Sequence, residues 1–349
     1  MPREPLISLA VIVRDEAAAL PRLLDGHREL WDEAVVVDTG SSDDSAALAR
    51  GLGARVEAFA WCDDFSAARN AALALCRGPW VLVLDADEHI APGDQAPLRE
   101  RIAASEPAGL VLPQWNYTDD AGLSGWHPVA PESAAEANGA SGYVVSHQVR
   151  VFPAGPGARY SGRVHETVEP ALVAAGLPVA RLGTPVHHAG HCGNPAREAA
   201  RRARDGRLLR LKLQEDPANP RARYEMAAQL LGEERPDLAQ RLLEALVAES
   251  PDGPRSADAW SLLGRLALAE GKAARALEAF TRAIALRPDL PETWLDLVRV
   301  RWLTGDQPGA QAALGEVSRL FPRDPRVAAL AAQVQALPAD NNFKGGSGT

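Results

Sequence analysis

Two aspartates one residue apart, Asp85 and Asp87, end the apolar run Trp80-Val81-Leu82-Val83-Leu84. In a strand, residues i and i+2 project to the same face, so the two carboxylates are expected to leave the strand end toward one spot. Carboxylates so placed repel each other unless a cation or donor lies between them. A divalent metal bridging a diphosphate meets that need. A second acid, Asp38, follows the run Ala34–Val37 and opens the polar turn Thr39-Gly40-Ser41-Ser42. There it can accept hydrogen bonds from a base or ribose, while Ser41 or Ser42 caps the next helix. Arg69 sits one turn into a helix that begins near Asp64, within reach of a nucleotide or of a structural partner such as Asp63 or Asp38.

These residues need a frame. Apolar runs at Ile7–Val13, Ala34–Val37, Arg55–Phe59, Trp80–Leu84 and Gly109–Pro113 alternate with helical patterns at Ala17–Leu24, Asp43–Gly53 and Ser66–Cys76. Strand–helix alternation implies an α/β domain with a parallel sheet covered on both faces. Its ligand is expected at the carboxyl ends of the strands. The stretch Trp115–His191 is rich in Gly, Pro, Asn and His and reads as mostly loop, with strands expected at Ser146–Phe152 and Val179–His187.

The last third repeats. Trp260 recurs as Trp294, Gly271 as Gly305, Ala276 as Ala310 and Pro288 as Pro322, each 34 residues on. The pattern resembles the tetratricopeptide repeat, an all-α architecture of stacked helix pairs. An earlier, shifted unit begins near Tyr224, giving three repeats. Trp260, Leu263, Gly264, Phe280 and Ala283 are core positions in this reading, without chemistry.

Bulk properties exclude several classes. A net charge of −9 argues against a general nucleic-acid binder. No run approaches the ~20 apolar residues of a transmembrane segment, and the expected location is cytoplasmic. Three scattered cysteines form no disulfide framework or zinc knuckle. The first strand is not followed by G-x-G-x-x-G, so a dinucleotide fold is disfavoured. A nucleotidyltransferase would want an early Gly-rich basic loop, and none is present.

Taken in order, Val11-Ile12-Val13-Arg14-Asp15-Glu16, Val36-Val37-Asp38-Thr39-Gly40-Ser41, Phe65-Ser66-Ala67-Ala68-Arg69-Asn70 and Leu84-Asp85-Ala86-Asp87-Glu88 resemble the nucleotide-binding half of family 2 glycosyltransferases. The resemblance implies a GT-A fold, Rossmann-like with a mostly parallel sheet, and a UDP-sugar donor with Mn²⁺ or Mg²⁺. Asp38 would then bind uracil, Arg69 the nucleotide, Asp85 the ribose or a metal-bound water, and Asp87 the metal. Val13, Arg14, Glu16 and Ala86 would join them around the nucleotide. Asp15 stands where such enzymes commonly carry Asn. Downstream, Arg150-Val151-Phe152, Gly162-Arg163-Val164-His165-Glu166 and Val186–His191 resemble bacterial members with tetratricopeptide repeats, some of which glycosylate peptides, including at sulfur. His191 stands where an aromatic is usual.

GT-A enzymes often complete the metal site with a late histidine. His188 is the first candidate and His165 the second, against hydrogen-bonded core histidines. The resemblance also implies direct displacement at the anomeric carbon, which needs one base. Glu166 is a candidate, unless it orients His165, and Asp120 (or Asp119) is the alternative. A thiol acceptor relaxes the requirement. The basic run Arg197–Lys212 reads as a solvated helix face, or as supplying an early Arg to a diphosphate.

The expected division is a glycosyltransferase domain over 1–195, a linking helix over 196–217, three repeats over 218–338 and a tail over 339–349. The expected activity is metal-dependent, inverting transfer from a UDP-sugar to a peptide or protein side chain. Alternatives are transfer to a surface glycan or lipid-linked sugar, with the repeats making a homodimer, and a non-catalytic scaffold.

Overall fold

In the computed structural model the described residues are 6–188 except 124, and 195–336 except 254 and 323. The side chains of 195–198, 325, 335 and 336 are not described. His191 and the tail lie outside this set. The chain divides into two compact units, 1–208 and 209–349.

The first unit is a ten-stranded sheet with helices on its faces. In chain order it runs β1 (Ile7–Val13), α1 (Leu20–Leu24), β2 (Glu33–Asp38), α2 (Ser45–Gly51), β3 (Arg55–Ala58), α3 (Phe65–Leu73), β4 (Trp80–Val83), β5 (Glu88–His89) and α4 (Pro92–Ala103). It continues with β6 (Gly109–Thr118), β7 (Trp126–Pro128), β8 (Gly142–Pro153), α5 (Glu169–Ala174), β9 (Val179–Arg181) and β10 (Val186–His188). The order across the sheet is β3-β2-β1-β4-β8-β6-β10-β5, with β7 on β8 and β9 on β6. From β3 to β4 all pairs are parallel. Beyond β4 the sheet is mixed, because β8 runs antiparallel to both β4 and β6.

The period of two assigns the core. Leu9, Val11, Val36, Leu82 and Leu112 face α1 and α4, where Leu20, Leu23, Leu98 and Ile102 cover them. Ala10, Val35, Val37, Val81, Val83 and Phe152 face the other way, toward Ala72 of α3 and Leu172 of α5. Burial on both faces is why these strands read as continuous apolar runs. The stretch expected to be mostly loop instead contains a long ribbon: β6 and β8 pair from Leu110↔Val151 to Thr118↔Gly142.

The helix α6 (Pro195–Glu215) spans the boundary between the units. The second unit continues through α7 (Pro220–Gly232), α8 (Pro236–Glu249), α9 (Ser256–Ala269), α10 (Ala273–Leu286), α11 (Pro291–Leu303), α12 (Gln307–Leu320) and α13 (Pro325–Ala336). Small residues let its helices approach closely. A Cβ on Gly264 of α9 would lie 2.5 Å from the Phe280 ring of α10. No described helix is long and apolar enough to cross a membrane.

Candidate active site

Strands β2 and β4 flank β1 on opposite sides, so the chain reverses its winding direction between β1 and β4. In open α/β sheets ligands bind outside the carboxyl ends of the strands at such a switch point. The loops after β1, β2 and β4 converge there.

The first two loops brace each other. The Asp15 N–H donates to Ser41 Oγ (2.9 Å), and Asp15 Oδ1 accepts from the Ser42 N–H and Oγ–H. The Ser42 backbone and side-chain donors lower the Asp15 carboxyl from its ordinary range. Asp15 has φ +56°, a conformation that Asp and Asn tolerate better than most residues. The Glu16 N–H donates to Ser45 Oγ, and Thr39 closes the strand ends through its bonds to the Val13 carbonyl. Asp38 Oδ1 accepts from the Gly40 and Ser41 N–H groups and from Ser41 Oγ (2.7 Å). The bond to Ser41 links Asp38 to the Asp15 bracket. Val13 is buried and Arg14 exposed on the crest of the loop.

Asp64 caps α3 by accepting from the Ala67 N–H (3.0 Å), which sets the rotation of the helix and aims Arg69. Arg69 bonds neither Asp63 nor Asp38 among its described contacts, against the expectation for a structural pair. Its Nη2 donates to Asp85 (2.8 Å) and its Nε to Glu166, while the guanidinium lies 5.6 Å from the Tyr160 ring centre. Nη1 is buried with no acceptor among the described residues.

The acid pair lies in a turn, not on the strand. Strand β4 stops at Val83, and the Glu88 N–H bonds the Asp85 carbonyl (3.0 Å), closing a turn over Asp85–Glu88. The alternation nevertheless persists: Asp85 and Asp87 are partly exposed, while Ala86 and Glu88 are buried. Burial alone would raise the Asp85 carboxyl. The Arg69 guanidinium, helped by Arg150, outweighs it and holds Asp85 down at about 2. Glu88 accepts from Arg150 in an ion pair with both side chains at least 97% buried, and its second oxygen caps the Asp85 N–H (2.8 Å). Burial pushes the Glu88 carboxyl up, against the opposing pull of Arg150.

The turn then enters β5, which pairs antiparallel with β10. That pairing sets His188 opposite Glu88 and brings its Nε2 within 3.4 Å of Asp87 Oδ2. Burial lowers the basicity of His188, and the carboxylates of Asp87, Glu88 and Asp85 more than restore it.

The remaining candidates lie on other loops, and of these Glu166 bonds the cluster through Arg69. His165 is exposed on a loop with φ +52°. Glu166 is 10% exposed and bound to Arg69, so it orients the arginine. Asp120 is exposed after β6, with Oδ1 accepting from the Gly122 N–H (2.9 Å). Asp119 accepts from the N–H and Oγ–H of Ser141, which lower its carboxyl. In the basic run, Arg207 pairs with Asp63 and Arg204 stacks 4.9 Å from the Phe65 ring centre. Sequence reasoning missed the polar partners Gln114, Asn116 and Gln148; their alternation along β6 and β8 was the available signal.

Residues 8–151 match the family described as Glycosyl transferase family 2. The first unit carries a family 2 glycosyl transferase domain. Residues 224–291 and 267–334 match tetratricopeptide-repeat families, so the second unit is built of such repeats. A TPR repeat-containing protein of Synechococcus elongatus is 36% identical over 168 residues, 48% of this chain and 36% of that protein. An uncharacterized glycosyltransferase of Rickettsia felis is 37% identical over 84 residues, 24% of this chain and 29% of that protein. The chain thus spans about a third of the length of these curated relatives. Among solved structures, MamA is 20% identical with a TM-score of 0.35, covering 40% of this chain and 74% of that one.

Proposed function

We propose that the chain is a metal-dependent, inverting glycosyltransferase that moves a sugar from a UDP-sugar to a peptide or protein side chain. The observation that carries this reading is the convergence of Asp87 and His188 beside the Arg69–Asp85 pair, at the sheet's switch point.

The donor atoms suit a hard-to-borderline divalent ion such as Mn²⁺ or Mg²⁺. Two adjacent ligands of one octahedral ion, each ~2.1 Å from it, stand about 3 Å apart, close to the 3.4 Å between Asp87 Oδ2 and His188 Nε2. No third His, Cys, Asp or Glu completes a cluster among the described residues, which suits a site whose other positions go to substrate oxygens. Bound there, the cation would neutralise charge on the leaving diphosphate.

The protein's own groups supply the rest of this reading. Arg69, fixed by Asp85 and Glu166, directs its Nη1 donor to the nucleotide. Asp38 and the braced loops after β1 and β2 hold the base, with Val13, Arg14, Glu16 and Ala86 around it. Glu166, occupied by Arg69, acts as a positioning group. That leaves Asp120, exposed on the loop after β6, or its neighbour Asp119 as the candidate base. The repeats support a peptide acceptor: a cleft of about 440 Å³ between α8, α9 and α10 is lined by Trp260, Glu244 and Arg282.

The test is a hydrolysis and transfer screen of nucleotide sugars with and without Mn²⁺, using peptide and glycan acceptors. Release of UDP is expected only with the metal. Because the metal's contribution is worth several kcal/mol, Asp87→Ala should lose about 10²–10³-fold. Full activity in that variant, or in chelator, would overturn the metal role. Transfer to glycans alone would overturn the peptide acceptor.

A further inference from the structure

Polar side chains of β6 and β8 form one hydrogen-bonded chain that ends at His188 of β10, and its polarity is fixed from the other end. Arg150 can only donate. Its Nη2 reaches Gln114 Oε1 (2.9 Å), which also accepts from Gln148 Nε2 (2.8 Å). The Gln114 oxygen is thereby committed, and its Nε2 donates to Asn116 Oδ1 (3.1 Å). Asn116 Nδ2 in turn donates to the Val144 carbonyl (3.2 Å) and to Ser146 Oγ (3.1 Å). Reversing the Asn116 amide would set its oxygen against a carbonyl and its NH₂ against the Gln114 NH₂. Asn116 Oδ1 must therefore accept, and it lies 2.9 Å from His188 Nδ1.

We infer that Asn116 is a positioning residue for the metal site. It holds the proton of His188 on Nδ1, so that Nε2 is the nitrogen presented to the cation beside Asp87. An imidazole binds metal through one nitrogen while the other donates to an outer partner that fixes ring and tautomer. Here that partner is an amide whose orientation is dictated two residues away in the chain of bonds, by Arg150. This inference rests on the metal reading given above. It adds that the ligand is oriented by a polar relay Arg150–Gln114–Asn116, buried at Arg150 and Gln114.

The experiment titrates Mn²⁺ against the full chain by electron paramagnetic resonance in the presence of UDP, with thermal melting and metal-free UDP affinity measured alongside. His188→Ala should weaken Mn²⁺ binding at least tenfold. Asn116→Leu should weaken it about 10–100-fold, with metal-free UDP affinity unchanged. Asn116→Asp, which keeps an oxygen facing Nδ1, should stay within about threefold of wild type. Gln114→Glu removes the donor to Asn116 while retaining the Arg150 contact. It should also lose about tenfold, and it carries the test if Asn116→Leu does not fold. Wild-type Mn²⁺ affinity in both Asn116→Leu and Gln114→Glu, with His188→Ala weakened, would overturn the relay and leave the metal reading standing. Wild-type affinity in His188→Ala would overturn the relay together with the assignment of His188.

Discussion

The two units bury different things. Among the described residues, the first unit buries Glu88, Arg150, His27, His89 and His187, whereas the polar residues buried in the second are Ser256, Ser261 and Thr293. Buried charge costs several kcal/mol per ion unless it is paired and fully bonded. It is concentrated where the strands meet the Asp85–Glu88 turn. The repeats are held instead by shape, with Gly264 under Phe280 and fully buried Ala276, Ala283 and Ala310 between helices. Several of their ion pairs, such as Glu278–Arg282, are exposed on both sides and contribute little, and the more buried Lys212–Glu225 pair lies at the array's first helices. The contrast separates a region that uses stability to aim groups from one that uses packing to stay ordered.

The largest effect that would sharpen this contrast is expected at Arg150. Arg150→Met leaves Glu88 without its cation and Gln114 without one of its donors, at a site 98% buried. Removing one partner of a buried pair costs about 3–5 kcal/mol. Urea unfolding should show the first unit's transition moving to lower denaturant. An unchanged midpoint would mean that the pair is dispensable and the contrast between the units overstated. Next in size is Gly264→Val. Any Cβ there meets the Phe280 ring, which is fully buried and cannot swing away. Overpacking of this kind costs about 1–3 kcal/mol. It should lower the melting temperature of the repeats, and a neutral result would show that the α9–α10 packing is looser than its geometry.

The parts legible in the sequence are those where one residue type carries one message. Runs buried on both faces, such as Ile7–Val13, identified β1, β2 and β4, and the 34-residue offset from Trp260 to Trp294 identified the helical array. The sheet beyond β4 was less legible. In β6 and β8 the polar residues Gln114, Asn116, Ser146 and Gln148 alternate with Trp115, Tyr117 and Tyr143, and this mixture reads as loop unless the period of two is followed through it. Helix α4, with Pro97 inside it, lacked a clean apolar stripe. At the site, the acids and Arg69 were visible individually. Their partners were not: Glu166 lies 97 residues from Arg69 and Asn116 lies 72 from His188, separations that local pattern cannot span.

The smallest effect tests whether the repeats really rely on shape throughout. Each repeat turns from its first helix to its second through the same pair of bonds. The Gly271 N–H reaches the Leu268 carbonyl and the Lys272 N–H that of Ala267; Gly305 and Asp306 do the same with Trp302 and Arg301, and Glu234 and Arg235 with Leu231 and Leu230. This termination needs a left-handed residue, and glycine supplies it at +73° and +80°. The first repeat places Glu234 there at +58°, exposed to solvent. A side chain in that conformation costs about 1–2 kcal/mol. Glycine would remove that cost but would lose about 0.5–1 kcal/mol through the greater freedom of its unfolded chain. Glu234→Gly is therefore expected to stabilise the array by about 0.5–1 kcal/mol, read as a small rise in its melting temperature. A fall instead would show that the Glu234 side chain contributes more than its backbone costs, and that this turn, unlike the other two, is held by polar contacts in the manner of the first unit.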